Sequence, residues 1–144
     1  MKESRGFSFI ELLMVVSVIS ILAAMSVPHL QKMKMGSQER VALATIRTFF
    51  KGEAMYLAQF QTFGDFDGLI SNEFIDNSFA SGSKAGYSYA VQNPSQTHFE
   101  VIAVPLTFGV SGEKSFYIDE TGVIRYNPDG SLPGPQSLAF PMSE

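Results

Sequence analysis

The first thirty residues contain the longest apolar run of the chain. Phe7 to Val27 spans 21 residues, close to the roughly 20 that an α-helix needs to cross the hydrocarbon core of a bilayer. From Leu12 onward this run has no charged residue, and its only polar side chains are Ser17, Ser20 and Ser26. The pattern predicts a membrane-spanning helix with one carboxylate, Glu11, near its beginning.

After Pro28 the pattern becomes that of an amphipathic helix. Apolar residues recur at steps of three and four, and we predict one buried stripe formed by Leu43, Ile46, Phe50, Ala54, Leu57 and Phe60. The polar side is expected to consist mainly of Gln38, Arg40, Arg47, Lys51 and Glu53. Because proline lacks a backbone N–H and clashes with the preceding turn, Pro28 predicts a kink or a loosened turn without necessarily ending the helix.

The remaining sequence alternates in the manner of short strands. Four strands are predicted in the segments "GYSYAVQ", "HFEVIAV", "KSFYID" and "GVIRY". Asp67 is the predicted cap of a short helical turn before them, whereas "SGSKAG" and everything after Tyr126 are predicted to be loop or turn. The fold class is therefore α+β, with a long amino-terminal helical spine packed on a small antiparallel β-sheet head.

Composition and charge argue against several classes of function. The chain has 144 residues, 10 basic and 14 acidic side chains and a formal charge of −4, which argues against a dedicated nucleic-acid binder. It contains no cysteine, so disulfides and thiolate metal sites are excluded. Its two histidines, His29 and His98, lack local spacing to a nucleophile or to metal ligands, and no enzymatic activity is predicted.

Three interpretations of the amino terminus are compatible with its hydropathy. It could be a secretory signal removed after a small residue such as Ala24, a plain single-pass anchor, or a six-residue leader cut before a helix that is retained. Lys2 and Arg5 precede the apolar run and no base follows until Lys32, which favours a cytoplasmic amino terminus and an external head.

Glu11 favours the third interpretation. A carboxylate within hydrocarbon costs about 2.5–3.5 kcal/mol on insertion scales, so such acids tend to be functional. Cleavage after Gly6 would expose an α-amino group on Phe7, positive at neutral pH and four residues from Glu11 on the helix. In an assembly, the amine of a neighbouring copy could approach the same acid, and this pairing could set the register between subunits.

The segment "RGFSFIELLMVVSVISILAAMSVP" resembles the amino-terminal signature of type IV prepilins and type II secretion pseudopilins. The resemblance implies cleavage after Gly6 by a prepilin peptidase, methylation of the new terminus at Phe7, an assembly role for Glu11 and a helix-interrupting role for Pro28. Ser20 departs from the glycine that many members carry there. The implied organisation is a leader at 1–6, a transmembrane and assembly helix at 7–30, and an amphipathic helix with a sheet-bearing head at 31–144.

The same resemblance implies a structural subunit that passes from the bacterial inner membrane, with its head in the periplasm, into a homo-oligomeric helical filament. Its expected partners are the membrane, the prepilin peptidase and an inner-membrane assembly platform, with no nucleic acid. Two alternatives stay open: a major pseudopilin of a type II secretion system, and a minor, tip-located or membrane-anchored binding pilin.

Calcium is the one cofactor that the sequence brings into consideration. Major pseudopilins, which the chain resembles, bind calcium in a loop near the carboxyl terminus. Oxygen ligands of the kind that calcium takes are offered here by Asp119, Glu120, Asn127 and Asp129. Their spacing does not match an EF-hand, and the same residue types also favour ordinary tight turns.

Overall fold

The computed structural model describes residues 6–141, so positions 1–5 of the predicted leader lie outside the described residues. Helix α1 extends from Phe9 to Phe60 and contains Pro28 within its length, so the proline does not end the helix. By length and composition, α1 is the one helix among the described residues that could cross a membrane.

Two short helical segments follow α1. Helix α2 covers Phe66–Ser71, and a single 3₁₀ turn covers Asn77–Phe79. The residue that caps α2 is Asp65, whose side chain accepts a hydrogen bond from the backbone N–H of Gly68. The prediction that Asp67 is the cap was therefore wrong by two positions, since Asp67 lies in the first turn of the helix.

The rest of the head is a six-stranded antiparallel sheet in which strands pair in sequence order. The strands are β1 Ser83–Lys84, β2 Tyr87–Gln92, β3 Glu100–Pro105, β4 Ser115–Asp119, β5 Arg125–Asn127 and β6 Leu138–Ala139. Four of them correspond to the predicted strands. The two-residue strands at the edges fall in segments that were predicted to be loop, because so short a strand leaves no period in the sequence.

The core lies between α1 and one face of the sheet. Ala42, Ile46 and Phe49 are fully buried on the helix. They belong to one cluster with alternate residues of the three central strands, Tyr87, Tyr89, Val101, Ala103, Phe116 and Ile118. The ring of Phe49 stacks on that of Tyr89, with 5.9 Å between centroids. A long helix packed on an antiparallel sheet confirms the predicted α+β class.

The buried stripe of α1 is rotated from the predicted one. Its buried positions are Ala42, Thr45, Ile46, Phe49, Gly52 and Glu53, whereas Ala54 is exposed and Phe60 is 42% exposed. Glu53 was predicted to face water, and that prediction was wrong because the chain that follows α1 covers it.

The chain divides into two compact units, Met1–Met33 and Lys34–Glu144. Among residues 6–141, every buried hydrophobic residue lies in the second unit, from Ala42 onward. The described part of the first unit is exposed along its whole length.

Candidate functional site

The predicted cleavage point lies in accessible, irregular backbone. Gly6, Phe7 and Ser8 precede the first residue of α1, and the side chain of Phe7 is 73% exposed. Apart from Gly6 and its chain neighbours, no heavy atom of the described residues lies within 4 Å of where a Cβ on Gly6 would be. A peptidase could therefore reach the bond between Gly6 and Phe7 without unwinding the helix.

Glu11 lies in the first turn of α1, where the unpaired N–H groups of a helix favour a negative charge. Its neighbour Leu12 donates the first backbone hydrogen bond, 3.1 Å long, to Ser8. Within residues 6–141 the exposed Glu11 side chain makes no ion pair and no hydrogen bond. The carboxylate is thus available to a group from outside the chain.

The helix around Glu11 is apolar on every side. Exposed fractions include 63% for Ile10, 60% for Leu22 and 71% for Met25. The serine hydroxyls in this segment donate to carbonyls one turn earlier, over 2.7 Å from Ser17 to Leu13, 2.7 Å from Ser20 to Val16 and 2.9 Å from Ser26 to Leu22. Their polarity is thereby satisfied inside the helix, and the surface requires lipid or another apolar protein surface around it.

Pro28 marks the carboxyl-terminal end of this segment. As a proline inside α1, it has no N–H to donate to the carbonyl of Ala24 four residues earlier. One rung of the helical hydrogen-bond ladder is therefore missing, and the predicted weak point of the helix lies there.

The four candidate calcium ligands do not converge. Asp119 ends β4 and is followed by Glu120, whereas Asn127 ends β5 and pairs with Ser115 at the other end of β4. Four residues of strand separate the two positions by about 13 Å, too far for one ion to contact both pairs. Within residues 6–141, no group of three or more His, Cys, Asp or Glu side chains is placed to hold a metal.

Three of the four candidate ligands are instead engaged in ordinary turn contacts. Asp119 accepts a hydrogen bond from the backbone N–H of Thr121 at 3.0 Å, and Asp129 accepts one from that of Ser131 at 3.1 Å. Asn127 donates to the carbonyl of Leu132 over 3.1 Å. These bonds stabilise two separate turns at opposite ends of the hairpin.

The structure places His98 between two carboxylates, a contact that the sequence analysis did not predict. The imidazole of His98 contacts Glu100 at 3.2 Å through Nε2 and Glu120 at 2.7 Å through Nδ1. Burial alone would lower the pKa of His98, but the two carboxylates outweigh it and raise the pKa above its ordinary value. The spacing of His98 and Glu100 by two residues was the available sequence signal, since such residues share one face of extended chain.

Glu39 joins the helix to the start of β4. Its carboxylate accepts hydrogen bonds from the N–H groups of Glu113 at 2.9 Å and Lys114 at 3.3 Å, and it pairs with Lys114 Nζ at 3.0 Å. Burial opposes ionisation, but these donors lower the pKa of Glu39 below its ordinary value. The contact fixes the loop before β4 on α1 across 74 residues of sequence.

Comparisons with known proteins match the amino-terminal motif and most of the length of the chain. Residues 1–27 match the family described as the prokaryotic N-terminal methylation motif. Along most of its length the chain is similar to a type IV major pilin protein of Myxococcus xanthus, with 27% identity over 140 residues and 90% of this chain covered. It is also similar to the major component of the type IV wide pilus of Thermus thermophilus, with 25% identity over 139 residues.

The two relatives differ in length. The chain spans 61% of the Myxococcus protein and 98% of the Thermus protein. Together with the methylation motif, these similarities confirm the predicted resemblance to type IV pilins. By their names, one relative is a major pilin protein and the other a major pilus component.

Proposed function

We propose that this pilin-like chain is a structural subunit of a type IV pilus, cleaved after Gly6, methylated at Phe7 and polymerised from the inner membrane with its head on the periplasmic side. The observation that carries the proposal is the conjunction of the methylation motif over residues 1–27 with an exposed apolar helix that has one acid in its first turn. A helix with these features can be held in the lipid bilayer and later be transferred into a core formed by protein.

The apolar surface of the amino-terminal helix must stay covered while a subunit moves from the membrane into the filament. Before assembly, lipid surrounds the helix; when a subunit leaves the membrane, the same surface must be covered again or its exposure to water opposes extraction. Lateral packing of the amino-terminal helices of many copies provides that cover without changing the fold of the head. The filament core then replaces the bilayer as the solvent of the helix.

Glu11 provides an interaction that fixes the register between subunits, which apolar packing alone does not fix. Cleavage leaves a charged amine on Phe7, and the amine of an incoming copy is a counter-ion for the carboxylate of a copy already in the filament. In a medium of low dielectric constant, an unpaired charge is strongly penalised. The paired register is therefore favoured over displaced ones.

The first test is mass spectrometry of the mature protein. The proposal expects an amino terminus at Phe7 carrying one methyl group. A terminus at Met25, as after ordinary signal cleavage, would contradict both the processing and the retention of the helix.

The second test replaces Glu11 with alanine. Glu11→Ala should insert in the membrane as well as the wild type, while the yield of sheared surface fibres falls sharply. Glu113→Ala, which removes an exposed acid of the head, is the matched control and should leave fibre yield unchanged. Normal fibre yield from Glu11→Ala would remove the docking role from Glu11.

The location and abundance of the polymer distinguish this proposal from the two alternatives. A pilus subunit is recovered in large excess over the assembly platform from fibres sheared off the cell surface. A pseudopilin would be retained in the periplasm, and a minor pilin would be found in only trace amounts in the fibres.

A further inference from the structure

The outward side of α1 within the head carries only one sign of exposed charge. Arg40 and Lys51 are eleven residues apart, so they lie within about 20° of each other around the helix, and Arg47 lies on the same line. The two acids of this part of the helix are turned inward: the side chain of Glu39 is 14% exposed and paired with Lys114, and Glu53 is fully buried. We call Arg40, Arg47 and Lys51 the basic stripe.

The segment after the helix carries the opposite sign. No lysine or arginine occurs between Lys51 and Lys84, while four acids in this interval are exposed, namely Asp65, Asp67, Glu73 and Asp76. We call these four residues the acidic surface. Two of them, Glu73 and Asp76, line an open depression of about 430 Å³ together with Ile70 and Ile75.

The two charged surfaces leave several side chains unpaired within one chain. Asp65 is engaged in capping α2, and Asp76 accepts a hydrogen bond from the N–H of Ser78. Within residues 6–141, Arg40, Lys51, Asp67 and Glu73 make no ion pair and no side-chain hydrogen bond. Their charges are thus available to a partner.

We infer that the basic stripe of one copy docks on the acidic surface of a second copy of this chain. The inference rests on the proposed function, because an open helical filament requires a head-to-tail interface between two different patches that every copy carries. The depression suits a long basic side chain: the half-buried Ile70 would contact the aliphatic part of an arginine or lysine, and the carboxylates of Glu73 and Asp76 would receive the cation.

Charge complementarity selects a second copy as the occupant. Residues 61–141 carry nine acids and three bases, a net charge of −6, whereas residues 34–60 carry four bases and two inward-facing acids. Each chain therefore presents both halves of a complementary pair. Such surfaces guide association and fix orientation, in addition to the apolar packing of the amino-terminal helices.

The test exchanges the charges in the full-length chain and measures fibre yield. One variant reverses the stripe with Arg40→Glu and Lys51→Glu, a second reverses the acidic surface with Asp67→Lys and Glu73→Lys, and a third combines all four changes. We expect each two-site variant to lower fibre yield about tenfold or more through like-charge repulsion, and the four-site variant to recover most of it. Glu113→Lys is the control for a charge change outside the acidic surface.

Folding is checked separately for each variant from its thermal midpoint in detergent. If a two-site variant does not fold, Arg40→Glu, Asp67→Lys and their combination repeat the design with one reversal per surface. Full fibre yield from both reversed variants, or reduced yield without recovery in the combination, overturns the inference.

Two further outcomes are decisive. Loss of fibres from the stripe reversal alone would show that the stripe contacts a different, anionic partner, and would overturn pairing between copies. The proposed function fails separately: if the wild-type chain is absent from sheared fibres, both proposals fall, whereas wild-type fibres without any charge dependence leave the pilus function in place.

Discussion

At the scale of single residues, Glu53 is the least expected occupant of the core. It is fully buried; its Oε2 accepts a hydrogen bond of 2.8 Å from the N–H of Gly64, and its Oε1 has no partner in the described chain. Burial raises the pKa of Glu53 to about 7, and the charge of Asp65 acts in the same direction while the Gly64 bond opposes it. The residue ties the end of α1 to the chain that follows.

A buried acid of this kind makes the stability of the head depend on pH. The unfolded carboxyl titrates near 4.5 and the folded one near 7, so between these values the folded state retains a proton that the unfolded state has lost. Stability therefore falls as pH rises through this window and is constant above it. At pH 8, Glu53→Gln should be more stable than the wild type by about 1–3 kcal/mol, with a flatter pH profile in urea unfolding.

Glutamine retains an oxygen that can accept from Gly64 and removes only the charge. Glu53→Ala is the contrasting variant, since it leaves the Gly64 N–H unpaired and creates a cavity, and it should destabilise the protein at every pH. Equal pH profiles for the wild type and Glu53→Gln would contradict a raised pKa.

His98, just before β3, is a second group whose titration makes the stability of the head depend on pH. Because its folded pKa is raised by Glu100 and Glu120, its stabilising contribution is complete below the ordinary value of 6.5 and is lost as pH rises through the folded pKa. Glu120→Gln should lower the pKa of His98 in an NMR titration of the imidazole. The resonance is assigned with His98→Asn, and Glu113→Gln should leave the pKa unchanged. A pKa that is insensitive to Glu120→Gln would exclude the contact.

At the scale of elements, the sequence predicts what is local and misses what depends on contacts far along the chain. Helix α1 and the four longer strands follow from hydrophobic periodicity. The prediction placed the buried stripe of α1 about one position away from the observed one, because later segments of the chain bury Gly52 and Glu53. A Cβ on Gly52 would lie 3.1 Å from Ile75 and 3.3 Å from the Phe74 carbonyl. The spacing of apolar residues along a helix does not predict such a close approach.

The carboxyl-terminal element, residues 128–141, was predicted to be loop or turn, and without cysteine no disulfide can hold it. Packing and hydrogen bonds hold it in the described residues. The ring of Phe140 lies 5.9 Å from that of Phe116 and 5.5 Å from that of Tyr126. Its backbone N–H donates to Ile124 at 2.8 Å, and Arg125 donates to the carbonyl of Ser137 at 3.2 Å.

Phe140 is therefore the expected anchor of this element. Phe140→Ala should destabilise the protein by about 1–3 kcal/mol, less than a fully buried phenylalanine, because its ring is only partly covered. It should also speed hydrogen exchange at residues 138–140 in a native-state experiment. Leu138→Ala, two positions earlier and 58% exposed, is the matched control and should have little effect on either quantity.

At the scale of the whole molecule, hydrophobic residues serve two purposes in two places. In the second unit a set of them forms the buried core, whereas in the described part of the first unit all of them are exposed. The sequence alone can propose Gly6, Phe7, Glu11 and Pro28 as cleavage and assembly residues, because their motif is contiguous and needs only their spacing. The calcium candidates lie in two turns, and the distance between those turns depends on the register of β4 and β5, which the sequence pattern does not contain.

This division predicts that the head folds without the apolar segment. A chain that begins at Lys34 retains every buried hydrophobic residue of the described chain, from Ala42 to Ile124, and the described residues that it loses, 6–33, are all exposed. We expect it to be monomeric by light scattering without detergent and to unfold cooperatively, with a thermal midpoint within a few degrees of the full-length chain. Aggregation or loss of cooperative unfolding would show that residues before Lys34 contribute to the core, and the separation of storage and folding between the two units would have to be abandoned.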